Sequence, residues 1–588
     1  MSILEGSIET ISIPRSYFYR PEEHITTMEA GKLYPTYVKT LMPNDLVKIN
    51  SKTIIRQQPT INPSFTSFRL IQRYFVVSIR NVYPDIYRFI SGFKQYSTKT
   101  PYNEPMPKWY PGFMKLDQNG NYIPPKEQRD RDYDVVDIGT LWDSIGLPTE
   151  CIPDDTHLPN DYIRRAYNYI YDLYFRNQAF EDSILFDNDP EKSENEHLLT
   201  VNYDKDYFTT GLPFQQLGEP MALPIAGNTK ATWQTDISIA SLTTTGNEDA
   251  IVVGQKTADG NVIKLKQQPA ELRVGKELYI PKTSINNNVV DMTQISSVLI
   301  QDIRKAFALQ MYSEMMARGG IRDNELLLMM WGTAPSDETL GRPYYLGSQT
   351  THILTQEQLQ TSQTTDNSIL GDMGGTGIGV GVGDEIAYHA KEFCILMCIS
   401  YIKPDTIYGG QGMPKEFCIS SRFDFPIPVL SHISEQPVEC SELLCASSEI
   451  LTRDKTTNKL KMVKKDDTAI AYNSKTLMYR PVYDNWRHST NRVSGFLKKS
   501  ITYDETGTNI VENKNLFNWT EARFFSIKDG QRPAMNNDFF KVKLDNRNYA
   551  VVKDIRERAQ FIVDFVTEAH YWRALSELGT PGRLDHVI

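Results

Sequence analysis

Apolar and β-branched positions fall in short runs of period two along much of the chain, and two longer stretches switch to the 3-4 spacing of a helix. Residues 65–79 are dense in aromatic and β-branched types, the composition of a strand. In 392–402, Phe393, Ile395, Met397, Ile399 and Tyr401 fall on one side and Cys394, Leu396 and Cys398 on the other. Both faces of that strand are therefore expected to be buried. Near the C-terminus Phe561, Val563 and Phe565 alternate with Ile562, Asp564 and Val566, and hairpin signals stand at Asn119-Gly120, Asp259-Gly260 and Thr506-Gly507. Helices are predicted over 161–178, with Ile163, Ala166, Tyr167, Ile170, Leu173 and Tyr174 on one face, and over about 297–318. The second carries the stripe Ile300, Ile303, Phe307, Met311 and Met315, with Ser296 or Ser297 as N-cap and Gly319-Gly320 as stop. Its stripe predicts packing on a sheet. The stretch 218–296 breaks from this pattern: it is rich in Thr, Ser, Asn and Gly with short β-like runs, and reads as an inserted subdomain. The chain is mainly β.

Length and charge narrow the picture. At 588 residues the chain can bury one large core or several. Its net charge of −10 argues against gripping nucleic acid chiefly through its own phosphate contacts. No run of 18 apolar residues predicts a membrane-spanning helix, and the first residues show no secretory pattern, so no membrane association is expected. The six Cys (151, 394, 398, 418, 440, 445) form no C-x-x-C and read as reduced, small hydrophobes.

A search for chemistry returns weak signals. The glycines of Gly371-Asp-Met-Gly-Gly-Thr-Gly-Ile-Gly-Val-Gly-Val-Gly383 fit neither phosphate-loop pattern, and read as a flexible or tightly packed loop entering the next strand. Asp187-Asn188-Asp189 opens like a calcium loop but has Lys192 and Leu198 where Gly and Glu are needed. His432 and Glu435 have helix-like spacing without a third ligand, and Asn518-Trp-Thr520 matches the glycosylation pattern only incidentally. Lys464-Lys465 and Lys498-Lys499 are too short for a basic tract. No catalytic, cofactor-binding or metal-ligating residue is assigned, and no cofactor. Three readings stand at this point: a structural assembly protein, a β-rich carbohydrate-active enzyme with a carboxylate pair brought together in space, and a host-binding spike module.

A series of blocks in chain order resembles one family. Met28-Glu-Ala-Gly31-Lys-Leu-Tyr-Pro35, Leu41-Met-Pro-Asn-Asp45 and Gly139-Thr-Leu-Trp-Asp-Ser-Ile-Gly-Leu-Pro148 are similar to segments of microvirus major capsid proteins, best in the gokushovirus-like branch. Arg165-Ala-Tyr-Asn-Tyr-Ile-Tyr171, Tyr174-Phe-Arg-Asn-Gln178 and Asp206-Tyr-Phe-Thr-Thr-Gly-Leu-Pro213 follow. Then come Ala317-Arg-Gly-Gly320, Arg342-Pro-Tyr-Tyr-Leu-Gly347, Arg422-Phe-Asp-Phe425, His432-Ile-Ser-Glu-Gln436, Tyr479-Arg-Pro481 and Val493-Ser-Gly495. The match fades around 100–135 and in 218–296.

The resemblance implies a single eight-stranded antiparallel jelly-roll β-sandwich over 1–588, with long inserted loops and a few helices. It implies a non-enzymatic subunit that forms pentamers within a T=1 icosahedral shell around single-stranded DNA, assembled in the bacterial cytoplasm. The implied partners are a small basic DNA-binding protein, pentameric spike or scaffolding proteins, and a host cell-surface receptor. The 218–296 insertion becomes a candidate three-fold protrusion and host-contact element. Such a sandwich uses well under half of the chain, leaving long connections for contacts between subunits. The 32 Tyr and 25 Phe suit such contacts, since each buries a large area with few rotatable bonds. The acidic balance then fits a container whose DNA is neutralised mainly by another protein.

Overall fold

The computed structural model describes residues 15–92, 101–111, 133–154, 156–186, 189–193, 195–216, 218, 237–239, 254–256, 262–264, 278–280, 300–319, 328, 341–359, 373–454, 456–457, 459–465, 467–499, 516–526, 533–544 and 559–577. The chain divides into two compact units, Met1–Gln215 with Ile321–Ile588, and Gln216–Gly320. The hairpin signals at 119–120 and 506–507, and the Ser296/Ser297 cap, lie outside the described residues.

The first unit is built on one curled antiparallel sheet. Its strands are β1 (Ser16–Tyr19), β2 (Glu22–Met28), β3 (Tyr34–Leu41), β4 (Leu46–Thr60) and β5 (Phe68–Ser78) from the first part of the chain. The later part adds β10 (Tyr344–Leu359), β11 (Met373–Val382), β12 (Ile386–His389), β13 (Cys394–Pro404) and β18 (Phe561–Arg573). The order is β1-β18-β4-β11-β10-β5-β13-β3, with β12 added on β4 and β2 on β18. Long strands make the curl: the first part of β10 pairs with β5, and its last six residues, Leu354–Leu359, pair with β11. Two smaller antiparallel pairs complete the unit: β14 (Glu435–Glu439) with β17 (Thr476–Pro481), and β15 (Glu449–Arg453) with β16 (Leu460–Lys465).

The predicted strands are present, and their faces sort as the alternation requires. Phe561, Val563, Phe565, Ala569 and Tyr571 of β18 point inward, against residues of β4 such as Val47, Ile49 and Ile55. Every residue of β13 is buried. Cys394, Leu396 and Cys398 face Tyr37, Tyr74 and Val76 within the curl. Ile395, Met397, Ile399 and Tyr401 face a second layer. That layer is led by the helix Tyr162–Tyr174, whose Ala166, Tyr167, Ile170 and Tyr171 are fully buried. The predicted 161–178 helix is therefore real but ends four residues earlier.

The helix also buries charge, which its apolar spacing does not reveal. Asp161 accepts from Arg164 (Nε, 2.6 Å; Nη2, 2.9 Å) and from Arg165 Nε at 2.6 Å. Other guanidinium hydrogens reach the backbone carbonyls of Ser193, Asn195 and Val82, and Arg165 Nη1 also donates to Glu191 Oε1 at 3.1 Å. Burial alone would raise the Asp161 carboxyl, but the two guanidiniums outweigh it and hold the group below the usual carboxylate range. The triad ties the helix start to the 189–195 connection and to the turn after β5.

The glycine-rich run is corrected by the structure: it is strand β11, not a loop. Its alternate glycines lie where neighbouring strands leave no room for a side chain. A Cβ on Gly379 would stand 2.8 Å from the His352 carbonyl oxygen, and one on Gly381 would stand 2.0 Å from Thr351 Oγ1. The curl brings β10 side chains over these positions, so the run encodes close approach rather than flexibility.

In the second unit, β6 (Ile237–Ile239) pairs with β9 (Leu278–Ile280), and β7 (Gly254–Lys256) with β8 (Val262–Lys264) around the 259–260 hairpin signal. Apart from Gly218, the rest of 218–296 lies outside the described residues. The helix Ile300–Gly319 matches the predicted span, yet its stripe is not packed as expected. Phe307, Met311 and Met315 are exposed, Phe307 at 70%. Leu309 and Tyr312 are exposed on other sides, so apolar residues ring the helix instead of forming one core-facing stripe.

Two outcomes check this account of the core. Asp161→Asn leaves the buried Arg164 without a carboxylate and Arg165 with Glu191 alone, and should lower unfolding free energy by about 3–5 kcal/mol in denaturant titration. Because the folded Asp161 is depressed, its contribution is present at neutral pH. It should fade as pH falls below about 4, the unfolded carboxylate value, and the Asn variant should lose that part of the acid dependence. At Gly31, φ is +89° and a Cβ would lie 2.5 Å from the Val542 carbonyl oxygen. Gly31→Ala should cost about 1–3 kcal/mol in the same measurement.

Candidate interaction surface

Apolar side chains held out to solvent, rather than a cleft with converging polar groups, distinguish the long connections of the first unit. The connection from β13 to β14, residues 405–434, contains no strand. It is a chain of 3-10 turns, Lys415–Phe417, Arg422–Asp424 and Pro428–Leu430, with Pro414, Pro426 and Pro428 fixing φ. At the middle turn the Asp424 carboxylate accepts from the backbone N–H of Ser420 (2.8 Å) and Ser421 (2.7 Å), while Ser421 Oγ accepts from the Phe423 N–H at 3.2 Å. These backbone donors hold the Asp424 carboxyl below its ordinary range. Trp486 Nε1 donates to the Asp424 carbonyl at 3.2 Å, and the Phe425 ring lies 6.3 Å from the Trp486 ring. Earlier in the connection, Met413 N–H bonds the Ser441 carbonyl at 2.9 Å, and the Tyr408 N–H bonds the Asn491 carbonyl at 2.9 Å.

The anchored backbone presents a row of large apolar side chains outward. Phe417 is 70% exposed, Phe423 52%, Phe425 51%, Val429 89% and Ile433 63%, and Phe496 is 77% exposed in the 3-10 turn Gly495–Leu497. Single exposed hydrophobics are ordinary, but this many on one clamped connection mark a contact surface. The outer face of the sheet adds a second set. Leu354 of β10 is directly opposite Ile378 of β11, followed along β11 by Val380 and Val382, all exposed. At the β1 edge, Tyr17 donates toward or accepts from His570 Nδ1 at 2.7 Å, and its ring lies 5.4 Å from Trp572.

The weak chemical signals in the sequence are placed as follows. Cys394 and Cys398 lie in the buried interior, with the Cys398 thiol pushed up to about 11 by burial. All six cysteines are free. His432 lies in a turn rather than a helix, and Glu435 is buried in β14, so the pair shares no helical face. Of the Asp187-Asn188-Asp189 run only Asp189 is described, and it caps the short turn Pro190–Lys192. Asn518 and Thr520 fall in and after the 3-10 turn Leu516–Trp519, with Thr520 buried. Lys464 and Lys465 are exposed in β16, whereas Lys498 donates to the Gly410 carbonyl at 2.7 Å. Among the described residues no group of three or more His, Cys, Asp or Glu is placed to hold a metal.

The 413–433 surface escaped the residue-by-residue reading because its apolar positions follow neither a helical nor a strand period. The usable signal was the coincidence of Phe, Ile and Val with closely spaced prolines.

A β-rich body whose connections are clamped so as to expose apolar side chains is the build of a protein that acts by contact with other chains. This chain belongs to the phage capsid protein family described as Capsid protein (F protein), whose model matches residues 6–576. It is 23% identical over 640 residues to the Capsid protein VP1 of Chlamydia phage 1, covering 98% of this chain and 97% of that protein. The Capsid protein VP1 of Bdellovibrio phage phiMH2K is 22% identical, covering 91% and 89%, and that of Spiroplasma virus 4 is 24% identical, covering 74% and 77%. The resemblance to gokushovirus-like microvirus capsid proteins thus holds across nearly the whole chain.

Replacing Phe423 and Val429 together by Ser should leave the melting temperature of the unassembled chain within about 2 °C of wild type, since neither supports the core. The same variant should lower particle yield at least tenfold in sedimentation, as expected when apolar anchors leave an interface.

Proposed function

We propose that this protein is the shell-forming subunit of a small tailless single-stranded DNA phage, working by self-assembly without catalysis. The capsid family match over 6–576 carries the reading, and the clamped apolar surface at 413–433 supports it. The eight strands on the main path of the sheet form, in this reading, a jelly-roll sandwich with β2 and β12 as edge additions. Subunits gather as pentamers in a T=1 shell, where heterologous contacts close around each symmetry axis. Each subunit buries several patches of roughly 1,000 Å² or more.

The 218–296 segment is the inserted element, projecting at the three-fold axes and meeting the host receptor. The interior DNA is neutralised mainly by a small basic protein, because a chain at −10 cannot supply the cations itself. Spike or scaffolding proteins complete the particle, and assembly takes place in the bacterial cytoplasm.

Electron microscopy of virions or co-expressed protein should show uniform particles with T=1 symmetry; protein that stays monomeric alongside its phage partners would sink the proposal. A phage whose capsid chain lacks 225–292 should still form shells but lose adsorption to its host, and unchanged adsorption would remove the receptor role from this segment.

A further inference from the structure

One cavity of the first unit has three cationic side chains among its lining residues. About 230 Å³ in volume, it lies where the end of β5, the start of β10 and the link from β12 to β13 meet. Arg80, Arg342, Lys391, Ser78, Asn81 and Glu392 are among its lining residues. Glu392 is the one carboxylate among the described residues of that lining. It is already engaged, 3.6 Å from Arg80 Nη2 and accepting from the Tyr87 hydroxyl at 3.2 Å.

Arg342 is the unusual member. It is 8% exposed, and neither its Nε nor its Nη1 has a hydrogen-bond partner. Its guanidinium carbon lies 5.8 Å from the Tyr174 ring centroid, a contact that eases burial of the charge but answers no N–H. The Ser78 hydroxyl is a second buried group without a partner. Leaving such donors unanswered is costly, and a buried cation without a counter-charge is more so.

The position is nevertheless built. Asn81 Nδ2 donates to the Gly341 carbonyl at 2.6 Å, and the Tyr169 hydroxyl donates to the same oxygen at 3.0 Å. The Tyr174 hydroxyl donates to the Pro343 carbonyl at 2.7 Å, and Gly341 takes φ +65° to turn the chain. The residues on both sides of Arg342 are thus pinned to the 162–174 helix or to the turn after β5, which fixes where the guanidinium is held.

We propose that this cavity is a phosphate site. A phosphate group would accept from the unanswered Nε–H and Nη1–H of Arg342 and from the Ser78 hydroxyl, with Arg80 and Lys391 supplying further charge. The unanswered donors of Arg342 and Ser78 are three separate N–H and O–H groups, a better match to a phosphate with several acceptor oxygens than to a lone carboxylate. The volume leaves space beside the phosphate for an attached sugar. Inorganic phosphate and a nucleic-acid phosphate present the same chemistry to these residues.

The test is binding of inorganic phosphate to the full-length chain, followed by calorimetry and 31P NMR with chloride at matched ionic strength as control. Saturable one-site binding is expected, weakened at least tenfold in Arg342→Gln. Because Arg342 is buried, the exposed Lys391→Gln serves as a second variant that keeps the core intact, with a weakening of about three- to tenfold expected for one lost cation. Absence of phosphate-specific binding in the wild type, or equal binding in both folded variants, overturns the proposal. Assembly defects in the variants of a wild type indifferent to phosphate would assign the cavity to a neighbouring subunit's carboxylate and overturn it likewise. Within a positive result, an oligothymidylate that competes with inorganic phosphate identifies the ligand as DNA; one that does not compete leaves free phosphate as the ligand, and either supports the site.

Discussion

Burial of both faces of β13 is the constraint on which the first unit depends. A strand whose eleven residues are all buried needs apolar partners on two sides, and a single sheet supplies only its two neighbours in the ladder. The curl of the sheet answers on one side, bringing β4 and β18 over Leu396 and Cys398. The helix Tyr162–Tyr174 answers on the other, over Ile395, Met397 and Ile399. The length of β10, which pairs with β5 and then with β11, and the glycines at alternate positions of β11 are conditions for that curl.

Charge follows the same economy of space. Several buried cations meet a carboxylate directly: Arg164 and Arg165 meet Asp161, and Lys541 meets Glu181 at 2.8 Å. Lys403 shows the same tension, its pKa lowered by burial although Asp204 and its ion pair pull it upward. Arg342 differs from these in having two buried nitrogens, Nε and Nη1, without a hydrogen-bond partner. The overall acidity of the chain therefore does not describe it point by point: a negative subunit can hold a buried arginine with unanswered nitrogens.

How much could be read from the sequence differed by element. The strands around 65–79, 392–402 and 561–566 were legible because their two-residue period is enforced by burial on defined faces. The 161–178 helix was legible from its apolar spacing, although its buried Arg164, Arg165, Asn168 and Asp172 carry no period and surfaced only in the fold. The glycine run misled because glycine signals flexibility and close approach alike, and only the neighbouring strands tell which. The stripe on the 300–319 helix misled for the opposite reason: periodicity shows that a face is apolar, not that something in the same chain covers it. At 413–433 the exposed Phe and Val could not be found by period at all, because the backbone there is set by prolines and an aspartate cap.

By itself the sequence determined the β-rich class, the principal strands and first helix, and, through an ordered series of short blocks, the capsid family. These are local or linear properties, fixed by alternation, spacing and residue order. Only the tertiary structure decided which apolar residues remain outside, why the glycines of β11 are required, and which buried cation lacks a partner. Each of those depends on what lies across space from a residue, at separations of tens to hundreds of positions. Asn81 and Gly341, 260 residues apart yet joined by a 2.6 Å hydrogen bond, bracket the cavity that no stretch of sequence could show.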